Sequence, residues 1–227
     1  MAALVDYVVQ DCEALFKAID ENRTAMSSKG FNEGKYNALL NAKDDLILKE
    51  AAQQKAVKLV EDKTAAQNET VQRVIKVIQK IKDAAKSGFG KDERHLKIFK
   101  VGDAIQASVK KLRPLCEYFA GIVLEYNDIL IANGMDQTDI DAFHSSYGDL
   151  VAVDATQENS KKLQMTSTMN RNNSLKKLQE EMFKVRSFAK SCFSGNPEIV
   201  LQFKPIPKGA GRKGEGNTPP PDGQPGQ

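Results

Sequence analysis

The sequence consists of two similar halves. When residues 4–100 are laid over residues 108–204 without a gap, Gly30 falls on Gly134, and roughly one aligned position in five is identical, against the ~6% expected from composition alone. The longest shared segments are Cys12-Glu13 with Cys116-Glu117, Asp45-Leu46 with Asp149-Leu150, Lys58-Leu59 with Lys162-Leu163, and Ala85-Lys86-Ser87 with Ala189-Lys190-Ser191. Self-similarity at one fixed spacing is typical of a tandem duplication.

The duplication predicts the division of the chain. A protein of 227 residues can hold one or two domains. Because two copies of ~100 residues mirror each other, we expect two halves of one shared bundle: a first repeat over residues 1–103 and a second over residues 104–207. Residues 208–227 are rich in Gly and Pro and contain no apolar residue larger than Ala. They are predicted to be disordered, either as a tether or as a plain solvated tail.

The apolar pattern predicts an all-α fold. In the first repeat, apolar residues recur every three or four positions, as on one face of an amphipathic helix. They are Val5, Val8, Cys12, Leu15 or Phe16, and Ile19. This helix is expected to run to about Ser28, where Gly30 supplies a left-handed cap and Asn32 starts the next helix. The two helices should form an antiparallel hairpin, and the second repeat should form another from residues 103–133 and 137–191. Pro114 should kink or start the first helix of that second hairpin.

The second helix of each hairpin is predicted to be unusually long. Residues 33–87 contain no Pro, and the apolar seam stays in phase if Thr64 and Asn68 occupy the intervening seam positions. A helix of ~55 residues would be ~80 Å long. The alternative is a break near Asp62, since Thr64-Ala65-Ala66-Gln67 fits a capping box, with the corresponding break near Thr166 in the second repeat. The unbroken phase favours continuous helices.

Each long helix is followed by a segment that we call a strap. Strap 1 covers residues 88–102 and strap 2 covers residues 192–207, and each contains Gly or Pro and two Phe residues ten positions apart. The aromatic pairs are Phe89 with Phe99 and Phe193 with Phe203. We predict that these four rings anchor the straps in a groove of the bundle.

One polar step is shared by both repeats: Thr64 with Asn68, and Thr168 with Asn172. Polar groups in an apolar seam are costly unless they are hydrogen-bonded, yet they fix register and partner choice in helical assemblies. Two interpretations stay open at this stage. The four residues form either a plain contact between the two repeats at mid-helix or a buried polar layer that specifies pairing.

Residue types that would carry catalysis or bind a metal are sparse. The two histidines, His95 and His144, are not preceded by Glu three residues earlier and do not correspond in the repeat, so no metal or cofactor site is predicted. Cys12 and Cys116, which correspond in the repeat, could face each other, but small core hydrophobes are the favoured interpretation over a redox role. The odd total of three cysteines favours free thiols in a reducing compartment.

The charge balance restricts the partners. The chain has 33 basic and 30 acidic residues, so it has no bulk field that would gather nucleic acid. No apolar run of about 18 residues is present, and the first residues lack a secretory leader, so a cytoplasmic location is expected.

The end of each repeat resembles a family of uncharacterised bacterial all-helical bundle proteins. The segments that carry the resemblance are Ala85-Lys86-Ser87-Gly88-Phe89 with Phe99, Ala189-Lys190-Ser191-Cys192-Phe193 with Phe203, and the Thr-x-x-x-Asn step upstream of each. The resemblance implies an α-helical fold and a bacterial source. It implies no activity and no site.

These observations predict a non-enzymatic helical scaffold or interaction protein. Its partner is expected to be another protein or a second copy of the chain. One alternative is a membrane-acting bundle whose amphipathic helices open onto lipid, although membrane binding is not favoured. The other is a small-molecule binder with a pocket at the pseudo-twofold axis.

Overall fold

A computed structural model describes residues 2–207, with side chains described from Leu4 onward. The predicted tail, residues 208–227, lies outside the described residues. The described part is all-α and contains no strand. Its helices are α1 (Ala2–Glu21), α2 (Arg23–Ser28), α3 (Glu33–Phe89), α4 (Glu93–Ile98), α5 (Val109–Glu125), α6 (Asn127–Ala132), α7 (Gln137–Cys192) and α8 (Pro197–Gln202).

Both long helices are continuous, as the sequence favoured. Helix α3 has 57 residues and α7 has 56. The Thr64 hydroxyl donates a 2.7 Å hydrogen bond to the Val60 carbonyl, and the Thr168 hydroxyl donates one of 2.8 Å to Gln164. A threonine bonded to the carbonyl four residues earlier lies inside a helix and does not cap one, so the alternative of a capping box at Thr64 is wrong.

The first helix of each hairpin differs from its prediction. Helix α1 ends at Glu21, and the predicted run to Ser28 is broken at Asn22. The Asn22 side chain donates to the carbonyl of Ala18 and to Gln202 of α8, and so competes with regular helix bonding. The second hairpin begins at Val109 rather than near residue 103. Pro114 therefore lies inside α5 and does not start it.

The turn between the helices of each hairpin follows the glycine prediction. Gly30 has φ of 96° and Gly134 has φ of 108°, a conformation that L side chains adopt only with strain. The Asn32 carboxamide oxygen accepts a 3.1 Å hydrogen bond from the Lys35 amide at the start of α3. Between α6 and α7, the Asp136 side chain accepts a 2.9 Å hydrogen bond from the Asp139 amide in the first turn of α7.

The described residues form two compact units. Unit 1 joins the residues up to Glu50 with those from Arg171 onward, and unit 2 spans Ala51–Asn170. Each unit therefore takes one part of α3 and one part of α7.

The core of unit 1 lies between α1, α2, the start of α3 and the end of α7. It is built from the following buried residues: Val5, Val8, Cys12, Leu15, Ile19, Met26, Phe31, Leu39, Leu46, Leu178, Met182, Val185, Ala189, Phe193 and Phe203. Helices α3 and α7 run antiparallel here, because Lys35 lies over the Phe188 ring at 4.6 Å while the later residue Asp45 accepts a 2.6 Å hydrogen bond from the earlier residue Ser174.

The core of unit 2 lies between the end of α3, strap 1, α5, α6 and the start of α7. It is built from the following buried residues: Val71, Val74, Ile78, Ile81, Ala85, Phe99, Leu112, Cys116, Phe119, Val123, Leu130, Met135, Phe143 and Leu150. The two long helices are antiparallel in this unit also. Gln67 donates to Asp154 at 3.0 Å, while Lys80, later in α3, pairs with Asp139, earlier in α7.

Candidate functional site

The four strap phenylalanines lie in the two cores. Phe99 is 0% exposed, and its ring centroid lies 5.6 Å from that of Phe89 and 5.5 Å from that of Tyr126. Phe203 is 3% exposed, and its ring stacks on Phe193 with centroids 6.0 Å apart. Phe89 is half-buried and packs against the core of unit 2. Each strap thus closes its core with a pair of aromatic rings.

Short capped helices position these rings. The Asp92 carboxylate caps α4 by accepting hydrogen bonds from the amides of Arg94 and His95, and Asn196 caps α8 by accepting one from Ile199. The His95 ring also lies 2.7 Å from Asp92 through Nδ1 and stacks on Phe89 with centroids 4.4 Å apart. Hydrogen bonding to His95 holds the pKa of Asp92 below its usual value. The His95 side chain therefore packs against Phe89 and hydrogen-bonds to the residue that caps α4.

A basic side chain from each long helix hydrogen-bonds to backbone in a strap or directly after it. In unit 1, Arg186 donates to the Phe203 carbonyl at 2.9 Å and to the Asp11 carboxylate at 2.8 Å. The same Asp11 carboxylate accepts from the Ile206 amide at 2.9 Å. In unit 2, Lys82 donates to the Asp103 carbonyl at 2.8 Å. Lys82 and Arg186 correspond at the repeat spacing.

The shared Thr and Asn residues are not a buried layer. Thr64 and Thr168 are half-buried and bonded to their own helices, whereas Asn68 and Asn172 are exposed. The expectation that Asn68 and Asn172 occupy the seam is wrong, because the inward side of each helix at this level is one residue away, at Gln67 and Arg171. Any role of the four residues in specificity stays a prediction.

Polar groups are nevertheless buried at mid-helix, at positions that sequence reasoning missed. In unit 1, Arg171 is 3% exposed and its guanidinium lies 3.6 Å from the Glu50 carboxylate. In unit 2, Gln67 donates to Asp154. The buried polar side chains at this level of the long helices are Glu50, Thr70, Gln157, Ser160, Arg171 and Ser174. The sequence does contain a signal for these positions, because polar side chains correspond there at the repeat spacing. Glu50 corresponds to Asp154, and Gln67 corresponds to Arg171.

The cysteines lie in hydrophobic surroundings. Cys12 belongs to the core of unit 1 and Cys116 to the core of unit 2, and both are 0% exposed. The two thiols thus belong to the cores of different units. Burial raises the pKa of Cys12 to about 12 and that of Cys116 to about 11. A thiol with so high a pKa is not a thiolate at neutral pH and is a poor nucleophile.

The buried thiols should therefore resist modification. In a Cys192→Ser variant at pH 8, Cys12 and Cys116 should react with an aromatic disulfide reagent only as fast as the protein unfolds, and both should react at once in denaturant. Their folded pKa values exceed the ordinary value of 9.0. The contribution of the raised thiol pKa values to the free energy of unfolding is thus fully present below pH 9. It should be lost as the pH rises toward 11 and 12. Rapid labelling of either thiol in the native protein would show that its core is open.

Exposed apolar side chains interrupt the charged surface. Phe183 of α7 is 71% exposed and lies in a shallow depression with Lys176, Gln179, Glu180 and Lys184. Other exposed large apolar residues are Leu48, Leu124, Leu163, Met165, Met169 and Leu201. Single exposed apolar residues are common, and aromatic residues are enriched at protein interfaces.

Among residues 2–207, no helix combines the length and apolar content needed to cross a bilayer. Within the same residues, no group of three or more His, Cys, Asp or Glu side chains is placed to hold a metal ion. The depressions around Phe183, around Arg113 and around Lys82 each lie within one unit, and a pocket at a pseudo-twofold axis stays a prediction.

Comparison of the chain with protein-family models, with curated proteins and with solved structures returned no match.

Proposed function

We propose that this protein is a non-enzymatic helical scaffold that binds another protein, or a second copy of itself, through the outer face of α7 around Phe183. The observation that carries the proposal is the exposure of that ring, 71%, on a helix whose inward face is already packed in the core of unit 1. The ring contributes little to the core from that position. Its removal from water on binding would stabilise a complex.

The surroundings of Phe183 favour a protein over a lipid surface as the partner. Lys184 is paired with Glu181 at 2.7 Å, and Lys176 and Glu180 both border the ring. Mixed charges around one aromatic residue are typical of the polar rim of a protein interface. A helix that lies on an anionic membrane would instead carry an excess of Lys and Arg around its apolar residues.

We also propose that the scaffold consists of two tandem, pseudo-symmetric helical-hairpin repeats. Its support is that buried residues fall on buried residues at the spacing that aligns Gly30 with Gly134. Corresponding buried pairs include Val8 with Leu112, Cys12 with Cys116, Leu15 with Phe119, Ile19 with Val123, Met26 with Leu130, Leu39 with Phe143, Leu46 with Leu150, Ile78 with Met182 and Phe99 with Phe203. The interruption between the first two helices also falls on corresponding residues, Asn22 and Tyr126.

The two repeats have similar buried residues but differ in their exposed residues. The counterpart of Phe183 in the first repeat is Gln79, which is exposed and polar. The exposed residues Met165 and Met169 likewise correspond to Glu61 and Ala65. The apolar side chains of Phe183, Met165 and Met169 are thus exposed in the second repeat without an apolar counterpart of similar size in the first, and they are suited to bind one partner on that repeat.

Site-specific photocrosslinking tests this proposal. A benzophenone amino acid at position 183 should give a covalent adduct with a second polypeptide in cells, and the same amino acid at position 79 should give none. Sedimentation of the purified wild-type chain and of purified Phe183→Ser then distinguishes the two kinds of partner. If the partner is a second copy, the wild-type chain should sediment as an oligomer and Phe183→Ser as a monomer. If the partner is another protein, both purified chains should be monomeric. Absence of any adduct at position 183, together with a monomeric wild-type chain, would contradict the proposal.

A further inference from the structure

Unit 2 contains a small basic depression beside the end of strap 1. Its volume is about 280 Å3, at the small end of the range for ligand sites. The charged residues that line it are Lys82, Lys100, Lys111 and Asp103. Three cations therefore face one carboxylate, which leaves the depression with a positive excess.

Lys82 is the buried member of this group. It is 4% exposed, and its ammonium donates a 2.8 Å hydrogen bond to the Asp103 carbonyl. Burial lowers the pKa of Lys82 from its usual value, Lys100 lowers it further, and the nearby charge of Asp103 opposes both. A buried ammonium held by a neutral carbonyl gains from any additional negative charge that reaches it.

Unit 1 shows how the corresponding cation is neutralised. Arg186 corresponds to Lys82 at the repeat spacing, and it donates at 2.8 Å to the carboxylate of Asp11, which is 5% exposed. Asp11 corresponds to Leu115, and Leu115 lines the depression beside Lys82. Unit 2 thus keeps the cation but has Leu115 where unit 1 has the Asp11 carboxylate, and Asp103 is the one carboxylate that lines its depression.

The backbone next to the depression is strained. Lys100 has φ of 50° and is the one described residue other than glycine with a positive φ. This conformation brings Cβ close to the carbonyl oxygen, and it persists where the surrounding structure enforces it. Lys100 lines the depression, and its ammonium lies 4.4 Å from the centroid of the Tyr118 ring. A second cation thus borders the depression from a strained backbone position.

We propose that this depression binds a small oxyanion of the phosphate class, which would neutralise Lys82 as the Asp11 carboxylate neutralises Arg186. Three ammonium groups match the multiple charge of phosphate, and lysine binds phosphate as a point charge. Gln106, which also lines the depression, has an amide that can donate to a phosphate oxygen. The site is independent of the partner-binding face around Phe183.

Calorimetric titration of the full chain with inorganic phosphate tests the site. Sodium chloride of equal ionic strength is the reference, and saturable binding of one phosphate is expected. The double variant Lys100→Gln/Lys111→Gln, which leaves Lys82 in place, should bind phosphate at least about tenfold more weakly than the wild-type chain. Lys110→Gln changes an exposed lysine on the same helix that does not line the depression, and its affinity should stay within about twofold of wild type. A parallel titration with glycerol phosphate identifies the source, since tighter binding of the ester indicates a small phosphorylated molecule.

A second variant copies the arrangement of unit 1 into unit 2. Lys82→Arg/Leu115→Asp supplies an internal carboxylate, so it should fold, as circular dichroism would show, and should no longer respond to phosphate. Heat release that matches the chloride reference in the wild-type chain would overturn the proposal. Equal phosphate affinity in the Lys110 variant and the Lys100/Lys111 variant would overturn it as well.

Discussion

Replacement of either buried strap ring, Phe99→Ala or Phe203→Ala, should lower the free energy of unfolding by about 3–5 kcal/mol. Each substitution removes a ring that is at most 3% exposed and leaves a cavity beside its aromatic neighbour, Phe89 or Phe193. The straps are short, so few other contacts would compensate. Urea denaturation followed by circular dichroism measures the loss.

Phe183→Ala is the matched control for this prediction. It removes the same atoms from a ring that is 71% exposed, and the free energy of unfolding should change by no more than about 0.5 kcal/mol. A loss below about 1 kcal/mol in both strap variants would show that the straps do not close the cores.

Removal of the buried Arg171 guanidinium should lower the free energy of unfolding about as much as removal of a strap ring. Arg171→Met should lower the free energy of unfolding by about 3–5 kcal/mol, because it leaves the Glu50 carboxylate in its buried position without the guanidinium. The side chains of Arg171 and Glu50 are 4% and 11% exposed. The double variant Glu50→Leu/Arg171→Met should recover most of the loss, since a packed apolar pair avoids the desolvation of both charges. A double-mutant cycle by chemical denaturation gives the coupling energy.

The exposed pair Lys161–Glu158 provides the control for the buried pair. Its side chains are 49% and 55% exposed, so Lys161→Met should cost at most about 1 kcal/mol. Equal losses for Arg171→Met and Lys161→Met would show that the mid-helix ion pair is solvated.

The fold could be predicted where each position had a simple local requirement. Gly30 and Gly134 mark the hairpin turns because a left-handed backbone excludes most other residues. The all-α class and the continuous long helices followed from apolar spacing and the lack of Pro. The break at Asn22 did not, and the Asn22 side chain is hydrogen-bonded there to the Ala18 carbonyl and to Gln202, far away in the sequence.

The mid-helix polar contacts show why the site was harder to predict. Identity between the repeats drew attention to Asn68 and Asn172, which are exposed. The inward positions are Gln67 and Arg171, which differ in type, so identity concealed them. One residue along a helix is a rotation of ~100°, so a small phase error over a long seam exchanges a buried residue for an exposed one. Exposure of Phe183 could be read only from its three-dimensional neighbours.

Separate expression of the two predicted repeats tests the two-repeat scaffold most directly. The core of unit 1 combines residues 5–46 with residues 178–203, and that of unit 2 combines residues 71–99 with residues 112–150. Each repeat alone therefore lacks part of both cores. Fragments 1–103 and 104–207, followed by circular dichroism and sedimentation, should give no folded monomer separately and a helical one-to-one complex when mixed. A fragment that is monomeric, helical and cooperative in its melt would contradict the shared cores.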